Sequence, residues 1–295
     1  MTDRNKKLVI TIFILLLGNF FVWQSTATRT VIKTEYYFLD VGQGDSELLY
    51  LPDGIKVLID AGNNDGAVVR ELEKILPMND RYIDIAVMTH PQRDHSGGII
   101  NLLDSYEFGL LIDNGREGTT KTYDLLREKI KSKKVKTISV TAGDRILYGD
   151  IVMNVLNPTK RSRQAKELND GCIVLLVEDR TTRSLFTCDI GTGIENVLRS
   201  TYDIHAQILK VPHHGSRFSS SKAFITAVKP IIAVIEVGDR NSYGHPTKET
   251  LAQLSAVGAT ILRTDKNGTM RVSVENNKLY VSQIDLLPNK LLMDF

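Results

Sequence analysis

Histidine and acidic side chains are concentrated in one short segment of the sequence, "THPQRDH" at residues 89–95. His90 and Gln92 are two apart in an extended segment and so face the same way, while Asp94 and His95 are adjacent and can turn toward a second position. Imidazole and carboxylate groups bind zinc and similar divalent ions, and two ions that share a carboxylate can activate a water molecule. The spacing therefore predicts a hydrolytic metal centre with one or two ion positions.

Other polar segments follow apolar runs along the chain. They are "DVGQGDS" at 40–46, "DAGNND" at 60–65, "ND" at 169–170, "CDIG" at 188–191, "PHHGS" at 212–216 and "NSYGHP" at 241–246. Five of the six histidines lie in these segments or in 89–95, His205 being the exception, so histidine is concentrated where strands are expected to end. Functional groups gather at the carboxyl ends of strands in layered α/β folds. We therefore expect these loops to converge, with Asp189 bridging two metal positions.

The elements that must position these loops can be read from hydrophobic periodicity. Short apolar runs such as "YYFLDVG" (36–42) and "IDIAVMT" (83–89) indicate buried strands, and segments such as "AVVRELEKIL" (67–76) carry apolar residues at helical spacing. The Pro-Asp-Gly at 52–54 indicates a hairpin turn. Strands come first and are then interleaved with helices in two halves. We predict an α/β fold, a single αββα sandwich over residues 35–285, followed by a C-terminal tail at 286–295.

The first 30 residues differ from the rest of the chain. Three basic residues precede the apolar run "LVITIFILLLGNFFVW" at 8–23, and Ser25 and Ala27 are small residues suited to cleavage. This pattern predicts a signal peptide or a signal anchor over residues 1–30, with both alternatives open. In either case the positive charges place the following domain outside the cytoplasm, secreted or anchored to the membrane.

Composition sets limits on the remaining functions. The chain has 37 basic and 35 acidic residues, a net charge of +2, so it has no bulk attraction for polyanions. The basic segments 129–136 and 160–166 could contact phosphate, but solvated surface is the favoured interpretation. Cys172 and Cys188 lie in apolar runs and are interpreted as small core residues, which we favour over a disulfide.

As a set, the polar motifs resemble those of a known family. "FLDVGQGDS", "LIDAG", "THPQRDHSGG", the Asn169-Asp170 turn, "CDIG", "KVPHHGS" and "VGDRNSYGHP" run from residue 38 to 246. They are similar to the motifs of metallo-β-lactamase-fold hydrolases, and most closely to those of the extracellular hydrolase domain at the end of ComEC-type DNA-uptake proteins. The resemblance implies an αββα sandwich with a metal centre at its edge, and it implies hydrolysis.

The resemblance also implies roles for individual residues. The implied metal ligands are His90, Asp94, His95, Asp189 and His214. Asp94 or Asp189 would also orient the attacking water, and His213 and His245 would contact phosphate or donate a proton, although the assignment among His213, His214 and His245 stays open. Asp60 would orient a ligand, or is an ordinary turn cap. From the residues themselves, Ser216 and Arg217 could hold the substrate phosphate or belong to a plain turn, and Asp40, Gly42, Gly44 and Asp45 are interpreted as a supporting backbone turn because glycine permits positive φ.

The sequence departs from the family pattern in two places. Gln92 stands where many members have a second histidine, and Asn169 and Asp170 stand where another histidine is usual. Gln92, Asp60 and Asp170 are therefore candidates for weak ligands or for residues that support the ligands. One ion would be held firmly and a second loosely, or the site would prefer manganese, which accepts oxygen ligands more readily than zinc does.

These expectations favour an extracytoplasmic metal-dependent hydrolase, a phosphodiesterase or nuclease that acts on DNA in competence. The expected partners are a phosphodiester substrate, single-stranded DNA in particular, and the membrane if the N-terminal segment is retained; no obligate protein partner is expected. One apolar segment followed by a hydrolase favours a stand-alone enzyme over a transporter. The alternatives are a lactonase or β-lactam hydrolase, a phosphocholine esterase acting on envelope polymers, and a metal-poor binding module without catalysis.

Overall fold

Two β-sheets stack face to face in the computed structural model, which describes residues 3–27, 33–275, 277–284 and 291–294. The strands are β1 (Glu35–Phe38), β2 (Glu47–Tyr50), β3 (Lys56–Ile59), β4 (Tyr82–Met88), β5 (Glu107–Asp113), β6 (Thr137–Ser139), β7 (Arg145–Tyr148), β8 (Ile151–Asn157), β9 (Val174–Glu178), β10 (Arg183–Phe186), β11 (Ile208–Lys210), β12 (Ile232–Ile235), β13 (Thr260–Arg263), β14 (Met270–Glu275), β15 (Lys278–Gln283) and β16 (Leu291–Asp294). One sheet has the order β16-β15-β14-β1-β2-β3-β4-β5-β6, and the other has the order β13-β12-β11-β10-β9-β8-β7.

Helices cover the outer face of each sheet. In chain order, the α-helices among the described residues are α1 (Asp3–Ala27), α2 (Ala67–Ile75), α3 (Arg93–Ser96), α4 (Ile99–Ser105), α5 (Lys121–Ser132), α6 (Lys160–Arg163), α7 (Thr192–Thr201), α8 (Lys222–Val228), α9 (Lys248–Ala256) and α10 (Thr264–Asn267). Of these, α2, α4 and α5 cover the first sheet, and α7, α8 and α9 cover the second. Hydroxyl side chains begin three of the longer ones: Thr120, Ser221 and Thr247 each accept a hydrogen bond from the backbone N–H three residues on. The helices α2, α4, α5, α7, α8 and α9 lie where the hydrophobic periodicity predicts them, whereas the one-turn helices α3, α6 and α10 were not predicted.

Side-chain alternation along the strands divides the apolar residues among three layers of core. Tyr36 and Phe38 point into the layer between the sheets, whereas Tyr37 and Leu39 point to the outer face covered by α2, α4 and α5. A third core lies between the second sheet and α7, α8 and α9. Because successive residues of a strand face opposite sides, one strand can serve two cores. The predicted αββα sandwich is the observed architecture.

The loops that carry the predicted site meet because of strand direction. β3 and β4 run parallel in the first sheet, and β10 and β11 run parallel in the second. Parallel neighbours place their carboxyl ends at the same edge, so the loops after all four strands come together across the two sheets.

The N-terminal segment is the long helix α1, whose apolar side chains include exposed Ile10, Phe13 and Leu16. Among the described residues, no helix meets the length and apolarity needed to cross a membrane. Residues 28–32, which follow the segment suited to cleavage, lie outside the described residues. The signal or anchor role therefore stays a prediction.

The structure differs from the sequence expectations at the two cysteines and at the C-terminus. Cys172 and Cys188 form a disulfide, with Cα atoms 6.2 Å apart, so the interpretation as separate core thiols was wrong. Cys172 precedes β9 and Cys188 follows β10, and an antiparallel pair brings these two ends together. The expected tail at 286–295 contains β16, which pairs with β15, while residues 285–290 lie outside the described residues.

Candidate metal centre

Four ligand-type side chains come together where the loops meet. Asp94 and His95 lie in α3 after β4, Asp189 follows β10, and His214 follows β11. Asp94 is partly exposed and the other three are buried. Both sheets thus contribute ligands.

The spacing of their donor atoms suits a single divalent ion. Asp189 Oδ2 lies 3.3 Å from His95 Nε2 and 3.5 Å from His214 Nε2, and Asp94 Oδ2 lies 3.6 Å from His214 Nε2. Ligands at 2.0–2.2 Å around a tetrahedral zinc ion would be about 3.4 Å from one another. The four side chains are therefore spaced as the ligands of one tetrahedral ion are.

Two of these donor atoms, and the second oxygen of the Asp189 carboxylate, have no hydrogen-bond partner among the residues that the structure describes. His95 Nε2, His214 Nε2 and Asp189 Oδ1 are buried and make no hydrogen bond to the described part of the chain. Leaving a buried polar atom unpaired costs about 1–3 kcal/mol, so three in one place call for an explanation. A divalent cation would satisfy them, and the residues present fit a resident metal ion.

The two ligand imidazoles are oriented by fixed acceptors. His95 Nδ1 lies 2.7 Å from Asp60 Oδ2, and His214 Nδ1 donates to the backbone carbonyl of Glu236 at 2.9 Å. Asp60 also accepts hydrogen bonds from the backbone N–H and the hydroxyl of Thr89. Each imidazole therefore presents Nε2 to the centre, as metal-binding histidines do. This contact places Asp60 as an orienting carboxylate rather than a simple turn cap.

The charges within the cluster shift the pKa of its members strongly. Burial alone would lower the pKa of His95 and His214, but Asp189 and Asp45 outweigh burial, raising the pKa of His95 well above its usual value and that of His214 to about 10. Burial would raise the pKa of Asp189, but His214 and His95 hold it well below its usual value. In the metal-free protein the imidazoles therefore carry protons that a bound cation would displace.

A buried lysine beneath the cluster was missed by the sequence reasoning. Lys210 is fully buried, its Nζ donates to Asp45 Oδ2, and it lies 4.0 Å from Asp189 Oδ1. Asp45 Oδ1 lies 3.1 Å from His214 Nδ1. Asp45 thus contributes a side chain, and not only the backbone turn that the sequence predicts. The signal for Lys210 was a lone charge within the apolar run "AQILKVP".

Two further buried acids, Glu47 and Glu236, adjoin Asp45. Burial raises the pKa of Glu47 to about 8 and that of Glu236 well above its usual value. Both carboxyl groups are therefore largely protonated at neutral pH, which limits the negative charge around Lys210. Sequence reasoning missed this pair also, although each residue is an acid within an apolar run of the sequence.

His90 lies beside the four-residue cluster rather than within it. Its ring centroid is 4.2 Å from that of His95, and its Nε2 is 3.0 Å from Gln92 Oε1. Burial and His95 lower the pKa of His90 to about 4, so its ring is neutral. His90 Nδ1 lies 3.1 Å from the Thr89 hydroxyl, which donates to Asp60. Among ligand-type side chains, His90 groups with Asp60, His95 and Cys188 rather than with the four-residue cluster, and its role as a ligand stays a prediction.

Only the first residue of the Asn169-Asp170 turn lines the cavity above the cluster. Asn169 lines the cavity above the cluster, and its Oδ1 is buried without a hydrogen-bond partner among the described residues. Asp170 is not among the residues that line this cavity or form the cluster. Consecutive side chains of the 3-10 turn Asn169–Gly171 point in different directions, so only one of the two can face the site.

The cluster opens into a cavity of about 430 Å³. His213 and His245 line it, with ring centroids 5.9 Å apart, and His213 Nε2 lies 3.7 Å from Asp189 Oδ2. Burial, together with neighbouring histidines, lowers the pKa of both rings, which are therefore neutral in the free protein at neutral pH. Of the three distal histidines, His214 is thus placed in the cluster, and the other two face the space above it.

A second cavity of about 450 Å³ adjoins the first and shares His213, Tyr243 and His245 with it. Ser216 and Arg217, the residues expected to hold phosphate, line this second cavity. Ser216 is buried, and its hydroxyl accepts a hydrogen bond from the backbone N–H of Phe218.

The loops hold unusual backbone conformations at the site. Asp60, Cys188, His213 and His214 all have positive φ angles, between 50° and 53°. Residues other than glycine rarely have positive φ angles, and those that do are concentrated at functional sites. Gly44 has a φ of 137°, and a Cβ there would collide with the backbone carbonyl of Asp94. The glycine in the "DVGQGDS" loop is thus required for the close approach to the ligand loop.

Sequence comparison relates the chain to competence proteins. It is 29% identical over 260 residues to ComE operon protein 3 of Bacillus subtilis, covering 82% of this chain and 33% of that protein. It is 27% identical to recombination protein 2 of Haemophilus influenzae (83% and 29% covered) and 28% identical to competence protein ComA of Neisseria gonorrhoeae (79% and 31% covered). The chain spans about a third of the length of these relatives. No protein-family model matches it.

Structural comparison supports the fold. The metallo-β-lactamase-fold protein YhfI from Bacillus subtilis superposes with a TM-score of 0.52 at 12% identity, covering 78% of this chain and 96% of that one. CmlA, a diiron β-hydroxylase from Streptomyces venezuelae, has a TM-score of 0.52 at 12% identity, covering 82% and 54%. The chain has the metallo-β-lactamase fold.

Proposed function

We propose that this chain, a metallo-β-lactamase-fold relative of competence proteins, is a metal-dependent phosphodiesterase that cleaves DNA outside the cytoplasm. The observation that carries the proposal is the cluster of Asp94, His95, Asp189 and His214, whose facing donor atoms are spaced as ligands of one ion and include the unpaired Nε2 atoms of both histidines. A bound divalent ion would lower the pKa of a water molecule toward 7 and offset phosphate charge.

The space above the cluster suits a phosphodiester. His213 and His245 present imidazoles, and Arg217 lies in the adjoining cavity. These groups can donate hydrogen bonds to phosphate oxygens, which stabilises the extra negative charge of the transition state. A neutral lactone would leave Arg217 and both imidazoles without an anionic partner, and a β-lactam would offer them only a carboxylate, so we rank those substrates lower.

The bond changes and proton transfers of phosphodiester hydrolysis indicate a role for each of these residues. A water oxygen forms a bond to phosphorus, the ester P–O bond breaks, the water loses one proton, and the leaving oxygen gains one. Asp94 orients the water, and His213 or His245 delivers a proton to the leaving oxygen. Both rings are neutral in the free protein, but a bound anionic phosphodiester raises their pKa and so favours the protonated form.

DNA and the extracytoplasmic location are the finer parts of the proposal. The names of the competence relatives support DNA, and the basic residues ahead of the apolar segment 8–23 support the location. Because the chain spans about a third of those relatives, the activity of the whole proteins is not transferred to it.

The test is a substrate panel on the purified full chain in mild detergent, stripped with chelator and reloaded with manganese or zinc. The panel contains single-stranded DNA, duplex DNA, a simple phosphodiester, phosphocholine polymer, a lactone and a β-lactam. We expect metal-dependent cleavage of DNA that Asp94→Asn abolishes, while Asp124→Asn, an exposed aspartate on α5, leaves it unchanged. Turnover of only the lactone or β-lactam, or bound metal without any turnover, would overturn the proposal.

A further inference from the structure

Two exposed aromatic rings stand beside the proposed active site. Phe218 is 63% exposed and Tyr243 is 67% exposed, and both line the cavity of about 450 Å³ next to the metal-ligand cavity. His213, Tyr243 and His245 line both cavities, so the two form one continuous groove. Large apolar side chains grouped at a groove beside a site mark a ligand contact more often than scattered surface residues do.

The backbone holds Phe218 in place while its ring stays exposed. Its N–H donates to Ser216 Oγ at 3.3 Å, and its carbonyl accepts from the N–H of Thr192 at 3.0 Å. The guanidinium of Arg217 lies 4.7 Å from the ring centroid. A flat ring and a cation are thus presented together on a fixed loop.

The Tyr243 ring is also fixed by its neighbours, in the loop at residues 241–246. Its ring stacks on that of His245, with centroids 5.8 Å apart and an interplanar angle of 18°. The Asn241 side chain fixes this loop, since its Oδ1 accepts from the His245 N–H at 3.0 Å and its Nδ2 donates to the His245 carbonyl at 2.9 Å. None of the described residues that line the second cavity is acidic. The groove therefore offers aromatic faces and positive charge to an anionic, aromatic ligand.

We propose that this second cavity seats one unpaired nucleobase of the substrate strand, stacked on Phe218 and Tyr243, with Arg217 on the neighbouring phosphate. Aromatic side chains bind bases of any sequence through their faces, and arginine adds to this contact. Paired bases inside a duplex have their faces covered. The two rings would thus be specificity-determining residues that select single-stranded over duplex DNA. The inference rests on the proposed function for its substrate.

The test compares an oligothymidylate with an abasic oligomer of the same length and charge. Binding to the full chain is measured by fluorescence anisotropy in chelator, without turnover, and kcat and KM are measured with manganese. Phe218→Ala and Tyr243→Ala should each weaken oligothymidylate binding by about 5- to 150-fold, the range for losing one base–aromatic stack. Binding of the abasic oligomer should stay unchanged, and Tyr243→Phe should keep wild-type affinity.

Tyr82→Ala is the matched control, an exposed tyrosine at the far end of β4, and it should bind both polymers as the wild type does. Equal losses on both polymers, or a wild type that binds them equally, would overturn the base site, even if metal-dependent cleavage persists. Preference for oligothymidylate that depends on the two rings, without cleavage of any phosphodiester, would support the base site and overturn the proposed function instead.

Discussion

Replacing Lys210 with methionine should destabilise the protein strongly, although Lys210 is not one of the four residues of the candidate metal cluster. The lysine is fully buried and its ammonium pairs with Asp45, itself 1% exposed. Methionine keeps most of the side-chain volume, so the change removes the charge and leaves little cavity. Asp45 would then be a buried carboxylate without its lysine, with the imidazoles of His214 and His95 as its remaining cationic neighbours.

The cost follows from that burial. Breaking a buried ion pair by removing one partner costs about 3–5 kcal/mol. Two unit charges 4 Å apart at an effective dielectric constant of 20 interact by about 4 kcal/mol, which is consistent with that range. Each kcal/mol lowers the Tm of a domain of this size class by about 2–4 °C, so Lys210→Met should lower Tm by about 6–20 °C.

The assay is urea unfolding of the metal-free protein, followed by circular dichroism. The set comprises Lys210→Met, Asp45→Asn and the double variant, which restores neutrality. Because the double variant removes both buried charges, it should be less destabilised than the sum of the single changes. Lys129→Met is the control: Lys129 pairs with Asp104, whose side chain is 62% exposed, so the loss should be about 0–1 kcal/mol.

Two results of the unfolding experiment would contradict a stabilising, coupled ion pair between Lys210 and Asp45. If Lys210→Met costs no more than Lys129→Met, the ammonium does not compensate buried carboxylates. If the double variant is destabilised by the full sum of the two single changes, Lys210 and Asp45 are not coupled.

Three further predictions concern the metal and the location. Asp189→Ala should remove most of the bound metal, because this carboxylate faces both ligand imidazoles, and unchanged metal content by elemental analysis would contradict that role. Gln92→His should raise zinc stoichiometry, since imidazole binds zinc more tightly than an amide oxygen, whereas the control Pro91→Ala should not; equal zinc in Gln92→His and wild type would limit the site to one ion. A reporter that works only outside the cytoplasm should be active when fused after residue 30, and activity of only a cytoplasmic reporter would count against the signal or anchor.

The sequence predicted the layers and most residues of the candidate metal cluster because these depend on local patterns. Apolar runs and helical periodicity lie in contiguous segments, and the ligands stand in polar loops directly after strands. The buried pair of Lys210 and Asp45 was not predicted, because the two residues are 165 positions apart in the sequence and no local pattern connects them. A lysine within an apolar strand indicates a buried partner, but it does not say which acid supplies it.

The sequence prediction and the structure differ at two further places, each for its own physical reason. Asn169 rather than Asp170 faces the cavity because the direction of a turn side chain depends on backbone angles that the residue types leave open. The disulfide between Cys172 and Cys188 depends on which strands pair, and apolar flanks are equally typical of buried thiols.

The contribution of ligands by both sheets has a consequence for the order of folding. His95 belongs to a loop of the first sheet, while Asp189 and His214 belong to loops of the second. Contacts between residues far apart in sequence require large loop closures and form slowly. Secondary structure can therefore appear before the ligands meet, and high metal affinity should arise only when the sheets have docked. During refolding, a metal-sensitive probe should lag behind the far-ultraviolet circular dichroism signal.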